Sequence, residues 1–149
     1  MENPTKEFLQ HVYKEARCGC ETVCGITGRL QDDRMRTETA AQLETYAACA
    51  AKAEQLLRRK DFGDVTFAFR DRLSARMGVM IETAHMHSPT EYAELLERSF
   101  RESASRMQEN VRAMAERGCD GDALALGARM IAYEKEEADK MRQMAADSR

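Results

Sequence analysis

"DRMRTETAAQLETYAACAAKAEQLLRR", residues 33–59, decides the fold. Its seam residues fall at Met35, Thr39, Leu43, Tyr46, Ala50, Ala53 and Leu57, in steps of four and three. That is the stripe of a helix that buries one side along its whole length. Asp32 or Asp33 is placed to cap the first turn, and the basic run Arg58, Arg59, Lys60 suits the dipole at the last.

The pattern continues on both sides. Before it, "QDD" at 31–33 is a short turn, and Phe8, Leu9, Val12, Ala16, Val23, Ile26 and Leu30 mark a first helix over about 5–30. After it, "DFGD" at 61–64 breaks the spacing. A third helix over about 65–86 is expected to carry Phe69, Leu73, Met77, Met80 and Ala84 on one face. Ser88, Pro89 and Glu91 form a capping box with proline at the first helical position. They start a fourth helix over about 89–117, with Tyr92, Leu96, Phe100, Met107, Val111 and Met114 as its seam. "GCDGD" at 118–122 is a turn into a fifth helix over about 122–146, lined by Leu124, Ile131, Ala138, Met141 and Ala145. No alternating run suggests a strand. The spacing predicts one all-α domain over residues 1–149.

Short links between the first two helices and between the last two favour antiparallel neighbours. The third helix is then long enough to carry the chain from one hairpin to the other. Two antiparallel hairpins with a helical crossover are expected.

Composition narrows the function classes. The chain has 149 residues, 33% of them charged, with a net charge of −3 and both signs interspersed. No basic block points to nucleic acid or an anionic membrane. The start "MENPTKEFLQ" lacks the cationic and apolar regions of a signal peptide. No run approaches the roughly eighteen apolar residues of a membrane span. Five cysteines, an odd number, in a chain that is not loop-rich fit reduced thiols in the cytoplasm. Two prolines and ten methionines suit long helices with adaptable packing between them.

The stretch "GCETVCGITGRLQDDRMRTETAAQLETYAACAAKAEQLL" at 19–57, a shorter crossover helix and "YEKEEADKMRQM" at 133–144 resemble the ferritin-like bundles. The likeness is greatest to a bacterial branch of that superfamily without assigned function. It implies a ferritin-like four-helix bundle with an additional crossover helix. It does not bring the di-iron centre, which needs a glutamate on each of two helices and Glu-x-x-His on the other two. Glu15 lies at the edge of its helix face, while Glu21, Glu44, Glu102 and Glu109 are expected to point outward. Glu54 is flanking, Glu134 is followed three on by Glu137, and His11, His85 and His87 fall on the wrong helices or positions.

Two groups remain. In "ARCGCETVCG" at 16–25, Cys20 and Cys24 share a flank of the apolar face, and Cys18 turns to solvent. Cys20 and Cys24 are expected to be half-buried packing residues. Cys18, with Cys119 in the turn, is expected to be the most accessible thiol. Gly19 suits close helix packing, while Gly25 and Gly28 face outward. Glu134 falls between Ile131 and Ala138 on the apolar face of the fifth helix, with Glu137 on its flank. A carboxylate there must find partners or hold a proton, and Ser103 is the expected partner. Tyr46 and Tyr133 are expected at the core edge. The expected function is a non-catalytic bundle that forms a homo-oligomer, a dimer, or binds a protein or ligand, with no cofactor. A degenerate metal site for iron or another divalent ion at Glu134 and Glu137 is the alternative, and a thiol redox protein the second.

Overall fold

The computed structural model describes residues 3–149. Met1 and Glu2, the start of the stretch read as lacking a leader, lie outside the described residues. Five helices and no strand occur among the described residues: α1 (Pro4–Thr27), α2 (Asp33–Arg59), α3 (Phe69–Thr83), α4 (Pro89–Glu116) and α5 (Gly121–Asp147). Among the described residues no helix is long and apolar enough to cross a membrane.

The helix ends follow local chemistry. The Asn3 side chain accepts from the Thr5 amide at 2.9 Å, and Asp32 accepts from Met35 at 2.8 Å. Ser88 accepts from the Glu91 amide at 3.2 Å, while Glu91 reaches back to the His87 amide at 3.3 Å. Each cap satisfies amides that the helix cannot. Asp61 (φ 61°) and Gly63 (φ 84°) take left-handed conformations and end the second helix. The stretch from there to residue 68 stays non-helical, so α3 begins four residues later than the spacing predicts.

α1 packs along α2 and α4 along α5, and the ion pairs across the two hairpins give their directions. Glu7 meets Arg117 at 2.9 Å and Glu15 meets Arg106 at 3.3 Å, so α1 and α4 run antiparallel. Lys60 meets Asp120 and Asp122, and Lys140 meets Glu38, so α2 and α5 do too. Phe8, Leu9, Ile26, Met35, Leu57, Leu96, Met107 and Met141 are among the fully buried side chains between them. Gly127 lets α5 approach α1: a Cβ there would stand 2.5 Å from the Phe8 ring. Gly19 does the same for the Tyr46 ring, at 2.8 Å.

The crossover does not pack as its spacing predicts. Phe69, Leu73, Met77 and Met80 are 76, 47, 51 and 58% exposed, and Ile81 is exposed beside them. The buried face of α3 is instead Val79 and Thr83, with Arg72 and Arg76 reaching Glu21 of α1 at 3.2 and 2.7 Å. Two features decide this orientation. Gly25 of α1 leaves room for Val79, whose Cγ1 lies 3.0 Å from where a Cβ would be. The Glu21 carboxylate holds two arginines inward. Glu21, read as outward, is therefore buried, and Gly25 is covered, because the crossover lies over the side of α1 that the hairpin core leaves open.

Candidate functional site

A layer of polar side chains crosses the middle of the bundle. The Glu134 carboxylate on α5 is fully buried and accepts the Tyr46 hydroxyl of α2 at 2.7 Å through Oε2. One turn on, Glu137 is 5% exposed and accepts from the Gln42 amide at 3.3 Å. Lys140 closes over Glu137 at 3.0 Å. The sequence spacing puts the α5 face one step off: Leu126, Met130, Glu134, Glu137 and Met141 are buried, while Leu124 and Ile131 are only partly so. Glu137 is thus an interior residue, not a flanking one.

Glu134 is under strong electrostatic pressure. Burial raises its pKa to about 7, partly offset by the nearby Ser103 hydroxyl and by Tyr46; the Glu15 charge adds to the rise and Arg106 opposes it. Among the described residues its Oε1 has no hydrogen-bond partner, and neither does Oε1 of Gln42. The phenol of Tyr46 is raised in turn, by burial and then by the Glu134 charge. A protonated Glu134 relieves both, since a neutral carboxyl costs far less to bury than a carboxylate. Ser103 is a buried neighbour, as its position suggests, but Tyr46 makes the short hydrogen bond.

Tyr46 belongs to a three-ring cluster. It lies parallel to Phe100 with centroids 6.0 Å apart, and edge-on to Tyr133 at 6.2 Å. Tyr133 itself is half-buried, and burial raises its pKa to about 12. On the outer side of Tyr46, between α2 and α5, lies a cleft of about 250 Å³. Cys49 and Met130 form part of its wall, with their sulfurs 3.7 Å apart. Burial first, then the Glu134 charge, pushes the Cys49 thiol up to about 11.

The other thiols are not arranged as their positions suggest. Cys119 is buried, 7% exposed, and Cys24 is the exposed one, while Cys18, Cys20 and Cys49 are intermediate. Gly118 turns the chain with φ 84° and tucks Cys119 beneath the start of α1, where the Asp120 amide donates to the Thr5 hydroxyl at 2.8 Å. Cys18 is half-covered, and the crossover passes close to its neighbour Arg17, whose guanidinium lies 5.4 Å from the Phe67 ring centroid. Cys24 lines an open groove with Gly28, Arg76 and Met80.

Glu15, Glu134 and Glu137 do not converge with a histidine. His85 and His87 are exposed near the start of α4, and His11 is partly buried on α1. Among the described residues no group of three or more His, Cys, Asp or Glu side chains could hold a metal ion. Gln42, Arg106 and Lys140 were not singled out by the sequence, although Gln42 and Tyr46 stand four apart on one helix face. The geometry defines a class only: an all-helical protein with a buried carboxyl layer and an uncovered apolar crossover. No family model, curated protein or solved structure matches the chain.

Proposed function

We propose that this chain is a non-catalytic, ferritin-like four-helix bundle that acts by pairing with a second copy of itself through the outer face of α3. The supporting observation is the exposed stripe Phe69, Leu73, Met77, Met80 and Ile81. Contiguous apolar stripes on a helix mark interaction surfaces, whereas single exposed apolar residues need no explanation.

The stripe suits its own copy. Residues 69, 73, 77, 80 and 84 step by four, four, three and four, the spacing of a helix that seats knobs into a neighbour. An antiparallel pairing centred on Met77 sets the large Phe69 of one copy against the small Ala84 of the other, and Leu73 against Met80. Such a contact is isologous, so it closes at two copies. Arg72 and Arg76, which would otherwise flank the stripe with like charges, are drawn toward Glu21. The ferritin-like reading rests on the order and directions of α1, α2, α4 and α5 and on the crossover between the hairpins.

Sedimentation velocity tests the pairing. The parent should run at twice the chain mass, and Met77→Lys at the chain mass with unchanged circular dichroism. A parent that stays monomeric, or a Lys variant that still pairs, would refute the reading. A metal-binding alternative has one observation in its favour, the unpartnered Oε1 of Glu134. Metal analysis of protein purified without a chelating column decides it: a stoichiometric metal lost in Glu134→Gln would establish that alternative.

A further inference from the structure

The cleft between α2 and α5 has a chemistry that neither the pairing face nor the buried carboxyl layer uses. Thr45, Tyr46, Ala48, Cys49 and Lys52 come from α2, and Leu126, Arg129, Met130 and Tyr133 from α5. The floor is aromatic and sulfur-rich. Tyr46 is held in place by the short hydrogen bond to Glu134 behind it, and Tyr133 stands edge-on to it. The cleft therefore has a rigid base, which reduces the ordering cost of a ligand.

Its charge is one-sided. Of the nine lining residues two are cationic and none is acidic, in a chain with more acids than bases. Most arginines near the core are committed: Arg72 and Arg76 to Glu21, Arg101 to Asp139, Arg106 to Glu15 and Arg117 to Glu7. Arg129 makes no ion pair among the described residues, and Lys52 bonds only to the Gln55 side-chain amide, at 3.2 Å. An apolar floor with uncommitted cations attracts a molecule with an apolar body and an anionic head.

We propose that the α2–α5 cleft binds a small amphipathic carboxylate, with its apolar body on Tyr46, Leu126, Met130 and Tyr133 and its carboxylate at Lys52 and Arg129. The volume sets the size. At about 30 Å³ per water molecule, 250 Å³ holds about eight waters, so the ligand has on the order of ten non-hydrogen atoms. Arginine suits the head because its planar guanidinium pairs with a carboxylate through two parallel hydrogen bonds.

Sodium octanoate, below its micellar concentration, is the probe, titrated calorimetrically and by tyrosine fluorescence, since the chain has no tryptophan. The expected result is saturable one-to-one binding. Octan-1-ol, which keeps the tail and loses the charge, should bind at least about tenfold more weakly, as should octanoate to the Lys52→Glu, Arg129→Glu double variant. Met77→Lys, which alters only the α3 face, should bind octanoate as the parent does. Ala48→Phe, which fills the cleft without touching its charges, should abolish binding. The proposal is overturned if octanoate shows no saturation, if the double variant or the alcohol binds equally well, or if Met77→Lys abolishes binding while Ala48→Phe does not. Circular dichroism of each variant confirms that a loss of binding is not a loss of fold.

Discussion

Glu134 shows how much one residue can bias a fold. A carboxyl whose pKa rises from 4.5 to about 7 on folding is protonated in the folded state over a range where the unfolded chain has already ionised. Its contribution is fully present below about pH 4.5, declines as pH rises toward 7, and is then lost, a difference of about 3 kcal/mol. Glu134→Gln removes that dependence and keeps an acceptor for Tyr46. Urea unfolding at pH 8 should find it more stable than the parent by roughly 1–3 kcal/mol, and near-equal at pH 5. Glu134→Leu strands the Tyr46 hydroxyl and should cost about 1–3 kcal/mol at pH 5. A parent with the same stability at both pH values relative to Glu134→Gln would show that the carboxyl is not desolvated. The same scale holds the thiol prediction. Iodoacetamide on the native protein should modify Cys24 first and Cys119 among the last, the reverse of what helix angles and a turn position suggest. Early modification of Cys119 would mean that the turn at Gly118 opens readily.

At the scale of elements, α3 differs from the other four. α1, α2 and α4 each bury a stripe that their spacing announces, and α5 buries one a step away from it. α3 turns its stripe outward and is held by Val79, Thr83 and the two arginines on Glu21. Those arginines are about half exposed, so the pairs are worth only about 1 kcal/mol together. Glu21→Ala should therefore leave global stability nearly unchanged while raising amide exchange across Phe69–Thr83 roughly fivefold. Exchange that rises equally in all helices would contradict the view of α3 as a separately anchored element. Nothing in the spacing at 69–84 distinguishes a stripe that faces a core from one that faces away. The choice rests on Gly25 and Glu21, which lie some fifty residues earlier in the chain.

For the whole molecule, the two hairpins meet where Gly127 admits Phe8 between α1 and α5. Gly127→Ala should force the ring aside and cost about 1–3 kcal/mol by overpacking, measured by urea unfolding. A neutral or stabilising result would show that the hairpins are looser there than the 2.5 Å approach implies. Side-chain pattern alone was enough for the five helices, their caps at Asp32 and Ser88, the turn at 118–122, and the place of Glu134 on a buried face. These are local facts, set by side-chain period and by backbone groups that must find a partner within a few residues. It took the packing of distant helices to set Tyr46 on Glu134, Gln42 and Lys140 on Glu137, and cations without acids around the cleft. That packing also decided that Glu21 is buried, Cys119 hidden and the α3 stripe bare. The last three depend on which outward side of a helix another element happens to cover. Angles on a single helix report where its own core lies, and are silent about a distant segment that packs on its back.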